Sequence, residues 1–158
     1  MPRDHTPKNK KKILLIEDEP DLAAAVAIRL EIKGYKVSIV YDGQEGLRKA
    51  REEIPDLIIL DLILPKMDGY RVCRMLKSDE KYQKIPIIIF SARTQEKDRE
   101  LAFECGADDY WVKPFEPEPF LARIKKLIEK KEATSIKKSL EKRKHRWKTM
   151  HCGWHCQH

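Results

Sequence analysis

Five short apolar runs alternate along the chain with longer segments in which apolar and polar positions are mixed. Continuous Ile, Leu and Val runs are typical of strands that are buried on both faces. The pattern predicts five strands, at 13–16, 35–40, 57–60, 85–90 and 110–112. The segments between them predict five helices, at 19–34, 43–53, 69–77, 94–105 and 117–131.

Strands that alternate with helices indicate a parallel sheet covered on both sides, because parallel neighbours need a crossover connection. Right-handed crossovers then give a doubly wound α/β fold. In such sheets ligands bind beyond the carboxyl ends of the strands. The residues that follow each predicted strand are therefore the first candidates for chemistry.

Polar residues of complementary charge follow four of the five strands. Glu17 and Asp18 follow the first strand, Asp61 the third and Lys113 the fifth, and Ser91 ends the fourth. Singly, each fits an ordinary role, such as a helix cap, a turn residue or a solvated side chain. Together they predict one polar rim.

A rim of three carboxylates requires a counter-charge, because like charges in one site disfavour ionisation. Mg²⁺ binds such oxygen ligands together with a backbone carbonyl and water. An aspartate in this setting can attack a phosphoryl group and form an aspartyl phosphate. Ser91 and Lys113 are then suited to stabilise the phosphoryl oxygens.

Four sequence strings resemble those of the receiver domains of bacterial response regulators, which act in two-component and phosphorelay signal transduction. The resemblance covers about residues 12–131 and is closest to the receivers of winged-helix transcription regulators, which the string at 121–125 also resembles. It implies a flavodoxin-like strand order, 2-1-3-4-5, for the five-stranded parallel sheet. The strings lie at 16–20 (IEDEP), 60–69 (LDLILPKMDG), 90–92 (FSA) and 106–115 (GADDYWVKPF).

The resemblance assigns the phosphoacceptor and the metal ligands. Asp61 matches the residue that is phosphorylated. Glu17 and Asp18 match the acidic pair that holds Mg²⁺, with Glu17 in place of the commoner aspartate. The backbone carbonyl of Ile63 matches a further ligand.

The resemblance also assigns the switch. Ser91 matches the hydroxyl that binds the phosphoryl group, Lys113 the lysine that stabilises it, and Tyr110 the aromatic residue that turns inward as the serine moves. The Lys113–Pro114 bond matches one that is cis in the family. The α4-β5-α5 face is expected to change shape, and Arg99, Asp109 and Arg123 match positions at which relatives dimerise upon phosphorylation.

The implied function is a phosphorylation-dependent switch, with a sensor histidine kinase or phosphotransfer protein as the donor and an unidentified output partner. The resemblance implies that the chain catalyses only its own phosphoryl transfer and a slow autodephosphorylation, and that it is not otherwise an enzyme. The alternative is the regulatory fragment of a DNA-binding transcription regulator. A metal-dependent phosphatase is disfavoured, because Ile63 stands where such enzymes keep a general acid.

Composition divides the chain into a basic tail (1–11), the receiver (12–131) and a second basic tail (132–158) expected to be flexible. Apolar residues make up 41% of the chain, enough for a core. Five basic groups and one acid lie in residues 1–12, and nine basic groups and two acids in residues 130–158. Such tails can contact nucleic acid, although most are solvated.

The second tail contains two further patterns. An apolar stripe follows roughly helical spacing and suits either docking on a partner, a nucleic acid or an anionic surface, or a disordered or partly helical extension; its members are Ile136, Leu140, Trp147, Met150 and Trp154. The cysteines and histidines of residues 151–158 resemble a metal site only weakly, because Gly153 interrupts them. The four cysteines are few and scattered, and no apolar run is long enough to span a membrane, which together predict a reducing, cytoplasmic location.

Overall fold

The structure, a computed structural model, describes the backbone of residues 9–155 and the side chains of residues 9–149. Strands and helices alternate throughout. The elements are β1 (Lys12–Ile16), α1 (Pro20–Ile32), β2 (Lys36–Val40), α2 (Gly43–Glu53), β3 (Leu57–Leu60), α3 (Gly69–Lys77), β4 (Ile87–Ser91), α4 (Glu96–Glu104), β5 (Asp109–Val112) and α5 (Pro117–His155).

The five strands form one parallel sheet in the order β2-β1-β3-β4-β5. β1 lies between β2 and β3, and the last residue of β1, Ile16, is in register with Val40 and Leu60. The residues after β1 and β3 therefore leave the sheet side by side. The predicted doubly wound fold and its strand order are confirmed.

Two apolar cores cover the two faces of the sheet, as expected for strands buried on both sides. On one face, α2, α3 and α4 contribute Leu47, Val72 and Ala102. On the other, α1 and α5 contribute residues such as Leu30 and Phe120. A neighbouring pair on β5 divides between the faces: Tyr110 belongs to the first core, and Trp111 packs against the second.

Most predicted element boundaries agree with the structure to within two residues. β4 begins at Ile87 rather than Ile85, because Pro86 has no N–H to donate to the ladder, although its carbonyl accepts from Ile58 N at 2.9 Å. Asp42 caps α2 by accepting from Glu45 N. The Lys113–Pro114 peptide bond is cis.

The last helix is much longer than the sequence pattern indicates, since α5 runs through Lys131 to His155. Lys, Arg and Glu make up nine of the 24 residues from 132 to 155, and they are good helix formers. Lys11 and Glu132 form an ion pair between the start of the fold and the extension. Ile136, Leu140 and Trp147 are exposed along it.

Some sequence expectations fall outside the described part of the chain. Residues 1–8 of the first tail lie outside it, as do the side chains of residues 150–158, on which the weak metal pattern rests. Within the described residues, no helix is both long enough and apolar enough to cross a bilayer.

Candidate functional site

Three carboxylates meet at the carboxyl ends of β1 and β3. Glu17 and Asp61 are buried and Asp18 is exposed, and each places an oxygen within 4.8 Å of the other two. Two backbone bonds fix the chain here: Asp61 N donates to Ile16 O, and Glu17 N donates to Val40 O, both at 3.0 Å. The structure thus brings together the three acidic residues that the sequence singled out.

Lys113 reaches into this cluster from the end of β5. Its Nζ lies 2.9 Å from Glu17 Oε2 and 3.0 Å from Asp61 Oδ2. The same ammonium lies 4.4 Å from the centroid of the Phe90 ring, which shields one side of it from water. One cation therefore bridges two buried carboxylates.

The pKa values of Glu17 and Lys113 reflect the balance of charge in the cluster. Burial raises the pKa of Glu17 to about 7; the hydrogen bond from Lys113 opposes this rise, and the nearby Asp61 adds to it. Burial lowers the pKa of Lys113, but the two carboxylates outweigh it and the net shift is upward. One ammonium does not fully compensate the acidic cluster, which leaves it disposed to take up a proton or a cation.

The donor set fits a hard divalent cation. Several carboxylate oxygens within reach of one point, some of them already held by hydrogen bonds, are the ligand type that Mg²⁺ prefers. Glu17 Oε1 accepts from Glu19 N at 3.2 Å, and Asp61 Oδ1 accepts from Ile63 N at 3.2 Å. These bonds orient the carboxylates without using all of their acceptor sites.

The loop after Asp61 is held close to the sheet by the start of α3. Gly69 N donates to Leu62 O at 2.9 Å. A Cβ atom on Gly69 would lie 2.2 Å from the carbonyl oxygen of Asp61, so only glycine fits this approach. Asp68 caps the helix by accepting from Arg71 N. The backbone at Asp61 is therefore packed tightly against α3.

Ser91 lies at the end of β4 and is fully buried. Its Oγ accepts from Arg93 N at 3.2 Å, while its carbonyl accepts from Lys113 N at 2.8 Å. Through these bonds Ser91 links the strand end that carries it to the backbone that carries the lysine. The serine and the lysine thus lie at the ends of the adjacent strands β4 and β5.

Tyr110 is buried, and its hydroxyl donates to Arg93 O at 2.8 Å. Burial raises its pKa, and a hydrogen bond with Ser91 acts in the opposite direction. The side chain thus already occupies an inward position beside Ser91, which the family resemblance implies is reached only upon switching. A small movement of the Ser91 side chain would therefore change its hydrogen bond with Tyr110.

Sequence reasoning missed a second tyrosine, Tyr70, close to the segment between β4 and α4. Tyr70 OH lies 3.2 Å from Asp98 O and 3.3 Å from Asp98 Oδ1, and Arg93 also contacts this carboxylate at 3.4 Å. Through Asp98 these contacts tie α3 to α4, and Arg93 ties the segment between β4 and α4 to the same residue. No local pattern reveals this contact, because it joins residues 28 positions apart.

The residues proposed for a dimer face make contacts within the chain. Asp109 Oδ2 accepts from Arg123 Nε at 2.7 Å and from Trp111 Nε1 at 2.9 Å. The guanidinium carbon of Arg99 lies 5.8 Å from the centroid of the Phe103 ring. Two of the three proposed residues therefore pair with each other in the single chain.

Comparison with known proteins gives a consistent result. Residues 13–125 match the response regulator receiver domain family. The alkaline phosphatase synthesis transcriptional regulatory protein PhoP of Bacillus subtilis is 43% identical over 122 residues, which are 77% of this chain and 50% of that protein. The DNA-binding dual master transcriptional regulator RpaA of Synechocystis is 44% identical over 117 residues, 74% of this chain and 48% of that protein. The chain therefore spans about half the length of these relatives.

A solved structure matches in the same way. The receiver domain of a sensor histidine kinase from Pseudomonas aeruginosa is described with a magnesium ion coordinated in its active site cleft. It is 32% identical, superposes with a TM-score of 0.71, and covers 76% of this chain and 98% of its own.

Proposed function

The chain belongs to the family of response regulator receiver domains, and from this premise we propose that it switches a partner by accepting a phosphoryl group on Asp61 with Mg²⁺ bound. Receiver domains are signalling switches that histidine kinases phosphorylate. The observation that carries the proposal is the bridging of Glu17 and Asp61 by Lys113 at adjacent strand ends.

In the proposed transfer, a carboxylate oxygen of Asp61 attacks the phosphorus of a phosphohistidine on the donor protein. The phosphorus–nitrogen bond breaks, the electron pair returns to the imidazole, and an acyl phosphate forms on Asp61. Lys113, now 3.0 Å from Asp61, is placed to stabilise charge on the phosphoryl oxygens. The chain thus supplies both the nucleophile and a fixed counter-charge.

Mg²⁺ would be held by Glu17, Asp18, Asp61 and the carbonyl of Ile63, and when bound it supplies positive charge for the phosphoryl oxygens. The close approach of the three carboxylates supports this assignment. The backbone bonds to Glu17 and Asp61 keep their oxygens aimed at one point. No side chain has to move in from a distance to complete the set.

In the proposed switch, the Ser91 side chain rotates to donate its hydroxyl proton to a phosphoryl oxygen, and its Oγ thereby loses the bond that it accepts from Arg93 N. Tyr110 and Arg93 respond because both are bonded to the Ser91 region. The change then reaches α4 through Asp98. The α4-β5-α5 surface, with Arg99, Asp109 and Arg123, is the proposed output face, on which a second phosphorylated copy is one partner. A cytoplasmic location belongs to this proposal.

A second candidate function is the regulatory part of a DNA-binding transcription regulator. It is favoured by the relatives whose names describe DNA binding or transcriptional regulation and of whose length the chain spans about half. In this interpretation the output partner is a DNA-binding domain, and the chemistry at Asp61 is unchanged.

The proposal is tested by intact-mass analysis after treatment with acetyl phosphate and Mg²⁺. The wild-type chain should gain one phosphoryl group, and Asp61→Asn should gain none. Asp79→Asn, in the turn that follows α3, is the matched control and should behave as wild type. Equal adducts on the wild type and Asp61→Asn would overturn the proposal.

A further inference from the structure

A second concave surface lies at the amino-terminal ends of the strands, opposite the carboxylate cluster at their carboxyl ends. It is a cleft of about 290 Å³ between the end of α3, the start of β4 and the middle of α5. Strands of four or five residues separate the two sites by roughly 15 Å. Six basic side chains line it, and together they define the basic cleft: Lys77, Lys84, Arg123, Lys130, Lys131 and Lys138.

The single carboxylate that lines the basic cleft is already neutralised. Asp108 Oδ2 lies 2.8 Å from Lys77 Nζ and accepts from Ile87 N at 2.8 Å. Lys77 completes its bonding by donating to the carbonyls of Gln83 and Ile85. This pair is part of the fold, so Asp108 is not left unpaired to neutralise the other cations of the cleft.

The remaining positive charge in the basic cleft is in excess. Arg123 is paired with Asp109. Among the described residues, the ion pairs within 4.0 Å involve none of four cleft lysines, namely Lys84, Lys130, Lys131 and Lys138. Four lysines, on α5 and on the segment before β4, thus line one small space without an ion-pair partner among the described residues.

Lys131 shows the electrostatic consequence. Its side chain is half-buried, and burial lowers its pKa. The positive charges of Lys11 and Lys77 act in the same direction as burial, whereas Asp56 and Glu132 raise that pKa. An anion bound in the basic cleft would favour the charged form of Lys131.

We propose that the basic cleft binds an oligophosphate, a small anion of two or more linked phosphate groups. Its size suits a compact ligand rather than an extended polymer, and its unpaired lysines line it from two sides, Lys84 from the segment before β4 and Lys130, Lys131 and Lys138 from α5. Several separated cations match an anion that carries several separated charges. The hydroxyl of Ser135 adds a neutral donor at the same wall.

A ligand in the basic cleft would also fasten the α5 extension to the domain. Lys138 lies beyond Lys131, whereas Lys84 belongs to the body of the fold. A ligand that contacts both stabilises the native arrangement by mass action. The inference does not depend on phosphorylation of Asp61, since the basic cleft lies at the other edge of the sheet.

The test is calorimetric titration of the full 158-residue chain with sodium tripolyphosphate, without Mg²⁺ and at about 0.1 M salt, where long-range attraction is largely screened. We expect one tripolyphosphate per chain. The triple variant Lys84→Gln, Lys131→Gln, Lys138→Gln should bind about tenfold more weakly or worse. The double variant Lys84→Gln, Lys138→Gln retains the half-buried lysine, removes only exposed groups and should show a smaller loss in the same direction.

The matched control removes the same charge elsewhere, through Lys97→Gln, Lys126→Gln and Lys148→Gln, and should stay within about threefold of wild type. Equal losses in the cleft variants and the control, or no binding by wild type, would overturn the proposal. A parallel titration with a short DNA duplex addresses the competing class of ligand. Tighter binding of the duplex that fails in the cleft variants would assign the surface to nucleic acid and sink the oligophosphate.

Discussion

At the scale of single residues, the buried carboxyl of Glu17 links the charge of the site to the stability of the fold. Its pKa is raised from the ordinary 4.5 to about 7, so the native state holds this proton more tightly than the unfolded chain does. Stability from this group is therefore full below pH 4.5 and falls as the pH rises to about 7. Above that pH the folded protein carries an unfavourable charge.

Glu17→Gln should therefore stabilise the protein above pH 7 in the absence of Mg²⁺, by about 1–3 kcal/mol. The difference should vanish near pH 4.5, where both side chains are neutral in the folded protein. Thermal melts across this pH range, read by circular dichroism, measure it. Glu19→Gln, on an exposed neighbour, is the control and should show no such pH dependence.

Millimolar Mg²⁺ should reverse the order of the two proteins. The cation binds the charged form of the native site, so it should raise the melting temperature of wild type more than that of Glu17→Gln. If Glu17→Gln is no more stable than wild type at pH 8 without Mg²⁺, the ionised carboxylate of Glu17 does not destabilise the folded protein.

At the scale of elements, the start of α3 sets the position of Asp61. Gly69→Ala would place a Cβ atom 2.2 Å from Asp61 O and 2.8 Å from Leu62 Cα. Neither backbone atom can rotate away, so either α3 or the loop after Asp61 must shift. We expect a loss of about 2–4 kcal/mol in stability and slower phosphorylation, measured by denaturant unfolding and by mass analysis.

Gly34→Ala is the matched control for this effect. Gly34 has φ +95°, and a Cβ atom at this position would have no neighbour within 4 Å, so alanine there meets only backbone strain, about 1 kcal/mol. Its phosphorylation rate should match wild type. A Gly69→Ala protein as stable as Gly34→Ala, with normal phosphorylation, would show that α3 does not constrain the site.

Strand β5 offers a readout of the switch, because its neighbouring aromatics face opposite cores. The Tyr110 hydroxyl donates to Arg93 O, close to Ser91. The ring centroids of Trp111 and Phe120 lie 5.3 Å apart, and Trp111 Nε1 donates to Asp109 Oδ2. Beryllofluoride with Mg²⁺, a phosphoryl mimic, should change the fluorescence of Trp111 when Trp147 and Trp154 are replaced by Phe. Ser91→Ala should retain the mimic and lose most of the change.

Ser91→Thr restores a hydroxyl at the same position and should recover the fluorescence response. The response would then depend on the donor rather than on the volume of the side chain. An undiminished response in Ser91→Ala would leave the mimic bound as proposed and remove Ser91 from the route to β5.

At the scale of the whole molecule, the sequence predicted the parts whose signal is local and missed those that depend on distant geometry. The strand runs and the polar residues after them give the sheet and the cluster, because parallel strands deliver their carboxyl ends to one edge. The bond between Lys113 and Glu17 joins residues 96 positions apart, and no pattern along the chain distinguishes it from a contact to Asp61 alone.

The length of α5 was missed for a different physical reason. Up to Ile128 the helix carries a strong apolar face that packs on the sheet, and beyond it charged residues dominate. A helical pattern without a core to bury gives a weak periodic signal, even though many of its lysines, arginines and glutamates favour the helix. The basic cleft was invisible for the same reason, since it is formed by that extension and the loop before β4.

The extension beyond Lys131 should be dispensable for chemistry at Asp61. Truncation after Lys131 removes seven lysines and arginines and two glutamates, and none of the residues at the acidic cluster. It breaks the ion pair between Lys11 and Glu132, but both side chains are more than 40% exposed, so the loss should stay below about 1 kcal/mol. We expect the truncated protein to be phosphorylated by acetyl phosphate at a rate within about twofold of the full chain. Glu132→Gln in the full chain is the matched control for the lost ion pair. A truncated protein that keeps its circular dichroism melt yet fails to accept the phosphoryl group would show that the extension acts on the site from across the sheet.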